Sequence, residues 1–255
     1  DPVEHSLSPA MHSAAYEALR IDATYVRRRV DANEVGAALR ELWDAGFEGL
    51  NVTVPHKLAV MESLESIDEG ARAVGAVNTL VRGELGWRGM NTDAEGFVRS
   101  LPDAASSYGR ALVLGAGGAA RAVAYGLAQA GVEVQVSARR EGAAQALREV
   151  GATTAAWPPR LDAPLVINAT SASWHHGEAL VKALSWERNE GLFVDLAYGI
   201  PLMFLTQAEA HGASTLDGLG MLVHQGALAL ETWIGKPAPV AVMQAALLRG
   251  METRV

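Results

Sequence analysis

"LVLGAGGAAR", residues 112 to 121, joins a short apolar run to a second apolar segment through three glycines. The run before the glycines has the length of a buried strand, and the segment after them favours a helix. A glycine loop at such a junction lets backbone N–H groups approach a pyrophosphate at the positive end of the helix. The stretch therefore predicts a nucleotide-binding domain; a glycine turn that serves only close packing is the alternative.

The next strand, residues 132 to 137, indicates which dinucleotide binds. In NAD-binding folds an acidic residue at the end of this strand holds the ribose hydroxyls. Here the strand ends at "SARR", residues 137 to 140. The planar guanidinium groups of Arg139 and Arg140 are suited to bind a phosphate. We therefore expect NADP as the cofactor. Two arginines that merely open an exposed helix are the alternative.

The elements after the glycine loop predict a parallel sheet covered by helices. Apolar runs buried on both faces are typical of such sheets. We expect strands at 111–114, 132–137, 165–168 and 192–196, and helices up to 130, at 143–150, 218–234 and 239–251. The polar stretch at 102–108 marks a boundary. We predict an α/β protein with a substrate-binding domain at 1–101, an NADP-binding domain at 102–217 and C-terminal helices at 218–255 that pack back on the first domain.

The first domain also alternates helices and strands. Ser8 followed by Pro9 has the pattern of an N-cap and a first helical residue. Further along, a Gly-Glu-Leu-Gly turn separates two strands of a hairpin. The expected elements are a helix at 9–19, a strand at 23–30, a helix at 33–45, a strand ending at residue 55, strands at 76–82 and 87–91, and a helix from 93.

Polar side chains gather at the ends of these elements. In "NVTVPHK", residues 51 to 57, Asn51 and Thr53 share one strand face, and Pro55 redirects the chain so that Lys57 opens a helix. "GAVNT" contributes Asn78 and "GMNTDAEG" contributes Asp93, although an N-cap role would also explain that aspartate. Ser6 and Ser8 add two hydroxyls, of which Ser8 is equally an N-cap.

Hydroxyl, amide, ammonium and carboxylate groups together suit a small molecule rich in hydroxyls. A nicotinamide cofactor would move a hydride between a secondary alcohol and a ketone, and a Lys–Asp pair can take and return the alcohol proton. The net charge of −8 argues against nucleic acid and anionic membranes as partners. Zero cysteines exclude disulfides and thiolate catalysis and suit the cytoplasm. His175 and His176 lack the spacing of a metal site, so no metal is expected.

Seven segments in order along nearly the whole chain resemble the shikimate dehydrogenase family, which includes quinate/shikimate dehydrogenases. They are "HSLSP" at 5–9, "NVTVPHK" at 51–57, "GAVNT" at 75–79, "NTD" at 91–93, "GAGGAAR" at 115–121, "NATS" at 168–171 and "GLGMLVHQGALALETWIG" at 218–235. The resemblance implies reversible NADP-dependent reduction of 3-dehydroshikimate to shikimate in aromatic amino acid biosynthesis. It also implies two α/β domains flanking a cleft, the second Rossmann-like and the first with a mixed sheet, in a monomer or homodimer.

The resemblance assigns roles residue by residue. Lys57 and Asp93 would form the catalytic pair. The substrate would be held by Ser6, Ser8, Asn51, Thr53, Asn78, Tyr198 and Gln225. The cofactor would be bound by Gly115, Ala116, Gly117, Gly118, Ala119, Ala138, Arg139, Arg140, Thr170, Leu196, Gly218 and Met221.

The chain departs from the family pattern at four places, one of which is the segment after Tyr198, where an expected threonine is lacking. Ala138 and Arg140 replace the usual polar neighbours of Arg139, so one polar contact is lost and a charge is gained. Ser173 and Trp174 replace a common Gly-Met pair; Trp174 would stack near the nicotinamide or cover the loop. The family also starts with a strand before "HSLSP", so we expect a segment to precede Asp1. A quinate dehydrogenase, with NAD as a possible cofactor, and a catalytically silent NADP-binding homologue are the alternatives.

Overall fold

A computed structural model describes residue 3 and residues 6–140, 142–175 and 177–252. The chain forms two compact units, which we describe separately. The first unit comprises residues 1–96 and 222–255, and the second comprises residues 97–221. Both boundaries fall inside helices, a few residues from the boundaries after residues 101 and 217 that we expected from the sequence.

Nine helices occur in the described part of the chain: α1 (Ser8–Leu19), α2 (Val35–Asp44), α3 (Glu69–Val74), α4 (Asp93–Ser100), α5 (Gly118–Gln129), α6 (Glu178–Ala183), α7 (Met203–Ala210), α8 (Leu219–Ile234) and α9 (Val240–Glu252). The strands there are β1 (Gly49–Asn51), β2 (Ser66–Ile67), β3 (Thr79–Arg82), β4 (Trp87–Met90), β5 (Arg110–Leu114), β6 (Glu133–Ser137), β7 (Thr153–Thr154), β8 (Leu165–Asn168), β9 (Leu192–Asp195) and β10 (Ser214–Leu216). Short 3-10 helices cover Ala59–Ser63, Ala105–Tyr108, Ala143–Val150 and Ala172–His175.

The first unit contains a mixed four-stranded sheet in the order β1-β3-β4-β2. The predicted hairpin is confirmed: β3 and β4 pair antiparallel, while β2 runs parallel to β4. Helix α9 packs on α1, and the Trp233 indole donates a hydrogen bond to the Leu80 carbonyl at 2.9 Å. Most of α8 and all of α9 thus belong to the first unit.

The second unit contains a six-stranded sheet in the order β10-β9-β8-β5-β6-β7, and every strand pair in it is parallel. All residues of the central strand β8 and of β9 are buried, as expected for strands with helices on both faces. The α/β class, with a parallel sheet in the second unit and a mixed sheet in the first, is confirmed.

Two elements differ from the sequence-based expectation. Residues 23–30 were expected to form a strand, but they lack regular secondary structure. A strand requires a hydrogen-bonded neighbour, and no described strand pairs with this segment. Residues 143–150 form a 3-10 helix instead of an α-helix, flanked by Gly142 and Gly151, which both have positive φ.

No helix in the described residues is long and apolar enough to cross a membrane.

Candidate active site

A buried ion pair joins Lys57 to Asp93 in the first unit. The ammonium nitrogen lies 2.5 Å from Asp93 Oδ2, and the side chains are only 13% and 5% exposed. Removing two charges from water is costly, so such a pair needs further hydrogen bonds around it. The predicted catalytic pair is therefore brought together, in a setting that water hardly reaches.

Asn78 supplies those hydrogen bonds. Its Nδ2 donates to Asp93 Oδ1 at 2.9 Å and to Thr92 Oγ1 at 3.0 Å, and its Oδ1 accepts from the Thr92 backbone N–H at 2.8 Å. Thr79 donates to the same Oδ1 at 3.1 Å. The sequence analysis missed Thr79 and Thr92, although each directly follows an asparagine in the "NT" pairs. Because the Asn78 amide is held from both ends, it fixes the orientation of the Asp93 carboxylate.

Asp93 is the first residue of α4, as predicted, but it does not cap the helix. The cap is Asn91, whose Oδ1 accepts from the backbone N–H groups of Asp93 at 3.0 Å and Ala94 at 3.3 Å. This arrangement leaves both carboxylate oxygens of Asp93 to Lys57 and Asn78. The N-cap alternative for Asp93 is thus wrong, and the carboxylate belongs to the polar cluster.

Lys57 lies in a turn and does not open a helix, contrary to the expectation. Strand β1 ends at Asn51, residues 54–58 form turns, and the 3-10 helix begins only at Ala59. The Lys57 carbonyl accepts from the Val77 N–H at 2.8 Å, so it is engaged outside any helix. This hydrogen bond ties the Lys57 backbone to the segment that leads into Asn78. Thr53 lies beyond the strand and is exposed, so it does not share a strand face with Asn51.

Asn51 and the two serines lie near Tyr25. The Tyr25 hydroxyl donates to Asn51 Oδ1 at 2.8 Å and lies close to the Ser8 side chain. Ser6 Oγ accepts from the Ser8 backbone N–H at 3.2 Å, so Ser6 satisfies the start of α1 and Ser8 is its first helical residue. The predicted N-cap role of Ser8 is wrong, and its hydroxyl is available for the polar cluster.

Gln225 reaches this cluster from α8. A Cβ on Gly96 would lie 2.7 Å from the Cβ of Gln225, so the two helices approach closely because residue 96 has no side chain. Gln225 Oε1 lies 3.4 Å from Asn78 Nδ2, and its Nε2 donates to the Leu222 carbonyl at 2.8 Å. Six predicted residues, Ser8, Asn51, Lys57, Asn78, Asp93 and Gln225, are thus linked to the site by hydrogen bonds or through Tyr25.

The second unit carries the glycine loop between β5 and α5. Gly115 has a φ of 115°, and a Cβ there would lie 3.0 Å from the Ala169 carbonyl oxygen, so only glycine fits. A Cβ on Gly117 would meet no atom within 4 Å. Gly117 immediately precedes α5, so open space lies beside the positive end of that helix. Together with the adjacent Ala116, Gly118 and Ala119, this backbone fits a pyrophosphate.

Arg139 and Arg140 follow the carboxyl end of β6 and are exposed. Neither forms an ion pair with any described residue. Ala138, which precedes them, is half-buried. Because neither guanidinium group has a carboxylate partner among the described residues, both can bind a phosphate, so these residues fit NADP better than NAD.

Thr170 is held beside the glycine loop by a buried network. Its Oγ1 and backbone N–H donate to Asn168 Oδ1 at 2.7 and 3.1 Å. Asn168 Nδ2 in turn donates to Ser173 and to Asp195 Oδ2, which also accepts from the Ser173 hydroxyl at 2.6 Å. Burial raises the pKa of Asp195. Asp195 was not found from the sequence. The serine at position 173, a departure from the family pattern, is a buried hydrogen-bond donor that holds this loop.

Four further predicted residues of the second unit lie near the carboxyl ends of its strands. A Cβ on Gly218 would overlap the Leu196 carbonyl, and the Gly218 N–H donates to Ala197 at 3.1 Å. Met221 is buried in the core of this unit. Tyr198 makes an edge contact with Trp174, with ring centroids 5.5 Å apart, and Trp174 is 47% exposed. Trp174 therefore lies over the loop and against Tyr198.

The described residues contain no group of three or more histidine, aspartate or glutamate side chains that could hold a metal ion. His5 and His176 lie outside the described residues.

Comparisons with known proteins agree in pointing to one family. The profile of the "Shikimate dehydrogenase substrate binding domain" matches residues 1–80, and that of the "Shikimate 5'-dehydrogenase C-terminal domain" matches residues 218–248. The shikimate dehydrogenase (NADP(+)) of Methanopyrus kandleri is 42% identical over 98% of this chain and 93% of its own length.

Two solved structures share the fold over nearly the whole chain. Shikimate 5-dehydrogenase from Thermus thermophilus, in complex with NADP(H) and shikimate, is 38% identical with a TM-score of 0.85, covering 98% of this chain and 96% of that one. The ligand-free 5-ketofructose reductase of a Gluconobacter species is 34% identical with a TM-score of 0.81, covering 97% and 95%.

Proposed function

Because the chain belongs to the shikimate dehydrogenase family, we propose that it catalyses the reversible NADP-dependent reduction of 3-dehydroshikimate to shikimate. This reaction is a step of aromatic amino acid biosynthesis. The observation that carries the proposal is the buried Lys57–Asp93 pair at 2.5 Å, held by Asn78. A family member that had lost catalysis would have no need for this costly pair.

The reaction needs a group that exchanges a proton with the substrate oxygen. When bound, the nicotinamide of NADP would supply the hydride acceptor for oxidation of the secondary alcohol, and NADPH would supply the hydride donor for reduction of the ketone. Lys57 takes the hydroxyl proton in the oxidation and donates it back to the ketone oxygen in the reduction. Asp93 stabilises the ammonium form of Lys57, and Asn78 keeps the carboxylate oriented.

Substrate binding is assigned to polar side chains that distinguish a polyhydroxy ring from less polar analogues. A site built to pair hydroxyl groups rejects molecules that lack them, because its buried donors and acceptors would be left unpaired. We assign this role to Ser6, Ser8, Asn51, Thr53, Asn78, Gln225 and Tyr198.

Cofactor binding is assigned to the second unit. The loop from Gly115 to Ala119 offers backbone N–H groups to the pyrophosphate, with open space beside Gly117. Arg139 and Arg140, next to Ala138, pair with the 2′-phosphate. Leu196, Gly218 and Met221 line the part of the site that takes the nicotinamide, and Thr170 contacts the cofactor beside the glycine loop.

The test is a matrix of substrates and cofactors. NADP and NAD reduction is followed with shikimate and with quinate, and NADPH oxidation is followed with 5-ketofructose, the substrate named for one structural neighbour. We expect turnover with shikimate and NADP to exceed every other combination. Quinate as the better substrate would favour the quinate dehydrogenase alternative. NADP binding without turnover on any substrate would favour a silent homologue.

We propose that the protein works in the cytoplasm as a monomer or homodimer on a small-molecule substrate, without nucleic acid or membrane partners. The lack of cysteine and the net charge of −8 support this assignment. Light scattering of the purified protein distinguishes the two oligomeric states.

A further inference from the structure

Tyr25 is a half-buried residue that the catalytic scheme does not use. It lies in the segment without regular structure after α1, and its hydroxyl contacts two proposed substrate ligands, Asn51 and Ser8. Burial, followed by the nearby Tyr16, raises the pKa of Tyr25. The hydroxyl therefore keeps its proton at the alkaline pH used to oxidise alcohols.

The hydrogen bonds around Asn51 define which end of its amide faces Tyr25. Asn51 Nδ2 lies 3.4 Å from the Asn78 carbonyl oxygen, which can only accept a hydrogen bond. Oδ1 must then be the end that faces Tyr25, and the phenol donates its proton to it at 2.8 Å. A second contact of Nδ2, with Thr79 Oγ1 at 3.3 Å, is also long. The oxygen of Asn51 is therefore well satisfied, while its N–H groups keep capacity to bind a ligand.

The ring of His12 supports Tyr25 from the core of the first unit. The two rings stack in parallel, with centroids 4.4 Å apart and an interplanar angle of 2°. His12 is fully buried, and neither ring nitrogen has a partner within hydrogen-bonding distance among the described residues. Burial lowers the pKa of His12 to about 4, so the ring is neutral near pH 7. His12 thus acts as an aromatic surface under Tyr25.

From these contacts we propose that Tyr25, supported by His12, is a positioning residue that fixes Asn51 as a hydrogen-bond donor to a substrate hydroxyl. The inference rests on the proposed function, since the substrate it names is shikimate. Without the Tyr25 hydroxyl the Asn51 amide is held only by the two long contacts of Nδ2, and a rotated amide would present its oxygen to the substrate in place of its N–H groups. Substrate recognition should suffer more than the chemical step, because Lys57 and Asp93 are not bonded to Tyr25.

The experiment compares Tyr25→Phe with Tyr16→Phe in steady-state kinetics. Tyr16 is a neighbouring buried tyrosine on α1 that makes no hydrogen bond with Asn51. We expect Tyr25→Phe to raise the KM for shikimate about tenfold, the size of one lost hydrogen bond, with kcat and the KM for NADP changed less than about twofold. Tyr16→Phe should leave all three constants within about twofold of the wild type.

A double variant tests the link to Asn51, and its folding is checked by thermal unfolding. If Tyr25 acts through Asn51, adding Tyr25→Phe to Asn51→Ala should not raise the KM further. If the two substitutions raise the KM for shikimate independently, so that their effects multiply in the double variant, the proposal is overturned. A wild-type KM in Tyr25→Phe would overturn it as well. If Tyr25→Phe is poorly folded, His12 provides the second test: His12→Phe, which keeps a ring, should retain the wild-type KM, and His12→Ala should raise it. Equal KM values in both His12 variants would contradict the supporting role.

The two proposals fail in different ways. A wild-type protein that does not turn over shikimate with NADP overturns the proposed function. An active wild type whose Tyr25→Phe variant is unchanged overturns only the role of Tyr25.

Discussion

The polar cluster of the first unit and the glycine loop of the second are built in different ways. The loop acts through backbone N–H groups of consecutive residues, and its form depends on Gly115 having no side chain. The cluster acts through side chains from distant parts of the sequence, linked by hydrogen bonds through Asn78. A contiguous backbone site should therefore be damaged by adding atoms, whereas a dispersed side-chain site should be damaged by removing a functional group.

The largest effect is expected from Asp93→Asn, which removes a charge and keeps the shape. An amide there would place its N–H₂ group against a donor, either Lys57 or Asn78, and the lysine would lose the negative charge that stabilises its ammonium form. We expect kcat for shikimate oxidation to fall about 1000-fold, the upper part of the range for acid–base groups. Stopped-flow or steady-state assays measure this fall. Asp22→Asn, at an exposed aspartate, is the control. A loss of less than tenfold would show that Asp93 does not take part in the proton transfer.

Gly117→Ala and Gly115→Val test the loop by adding atoms. The added methyl group of Gly117→Ala meets no atom of the protein within 4 Å, so the melting temperature should stay unchanged. The affinity for NADP should fall about 100-fold, because the methyl group occupies the space of the pyrophosphate. Gly115→Val should also lower stability by about 2 kcal/mol, since its φ of 115° is strained for valine. Fluorescence titration with NADPH and thermal unfolding measure both. Normal NADP binding by Gly117→Ala would place the pyrophosphate elsewhere.

A lower pH should destabilise the first unit because protonation of the buried His12 is unfavourable in the fold. Its folded pKa of about 4 lies below the ordinary value of 6.5, so its neutral form stabilises the fold above pH 6.5 and this contribution is lost as the pH falls towards 4. Between pH 7 and pH 5 the wild type should lose about 2 kcal/mol of unfolding free energy relative to His12→Phe. Urea unfolding at both pH values measures the difference. Parallel pH dependences would mean that His12 is not buried in its neutral form.

Asp195, buried in the second unit, should act in the opposite direction. Burial raises its pKa, so its protonated form is favoured in the fold and its contribution to stability is present at low pH and lost as the pH rises. The two units thus carry buried titratable groups whose contributions to stability change in opposite directions with pH.

The smallest effect is expected at the exposed arginines. Arg139→Asp should raise the KM for NADP about tenfold and leave the KM for NAD nearly unchanged, because one charged hydrogen bond to the 2′-phosphate is lost. Arg148→Asp, at another exposed arginine of the same unit, is the control for net charge. Equal changes for NADP and NAD in Arg139→Asp would argue against 2′-phosphate recognition at this position.

The contrast between the two regions also explains what could be predicted from sequence. The glycine loop, the parallel strands and the hairpin follow from contiguous patterns, and the structure confirms them. A Lys–Asp pair was proposed from the chemistry that hydride transfer needs, and the family resemblance supported it at Lys57 and Asp93; no local pattern joins residues so far apart. Thr79 was missed because a threonine in a strand usually needs no functional explanation, and Thr92 because a threonine beside a helix start is ordinary there.

Other details depended on tertiary contacts. Lys57 was expected to open a helix, but its carbonyl bonds to Val77 from a distant segment. Asn91 caps α4 in place of Asp93, and both residues are acceptable N-caps by type. The burial of Ser173 against Asp195 depends on the neighbouring strand β9, and no local motif around Ser173 predicts that contact.

The most direct test of the account measures turnover and shikimate binding in Lys57→Ala, with Lys236→Ala, at an exposed lysine of the same unit, as the control. We expect the turnover rate of NADP reduction by shikimate to fall about 1000-fold in Lys57→Ala. The dissociation constant for shikimate should change less than about tenfold. Turnover near the wild-type rate in a folded Lys57→Ala protein would contradict the assignment of Lys57 as the proton-transfer group.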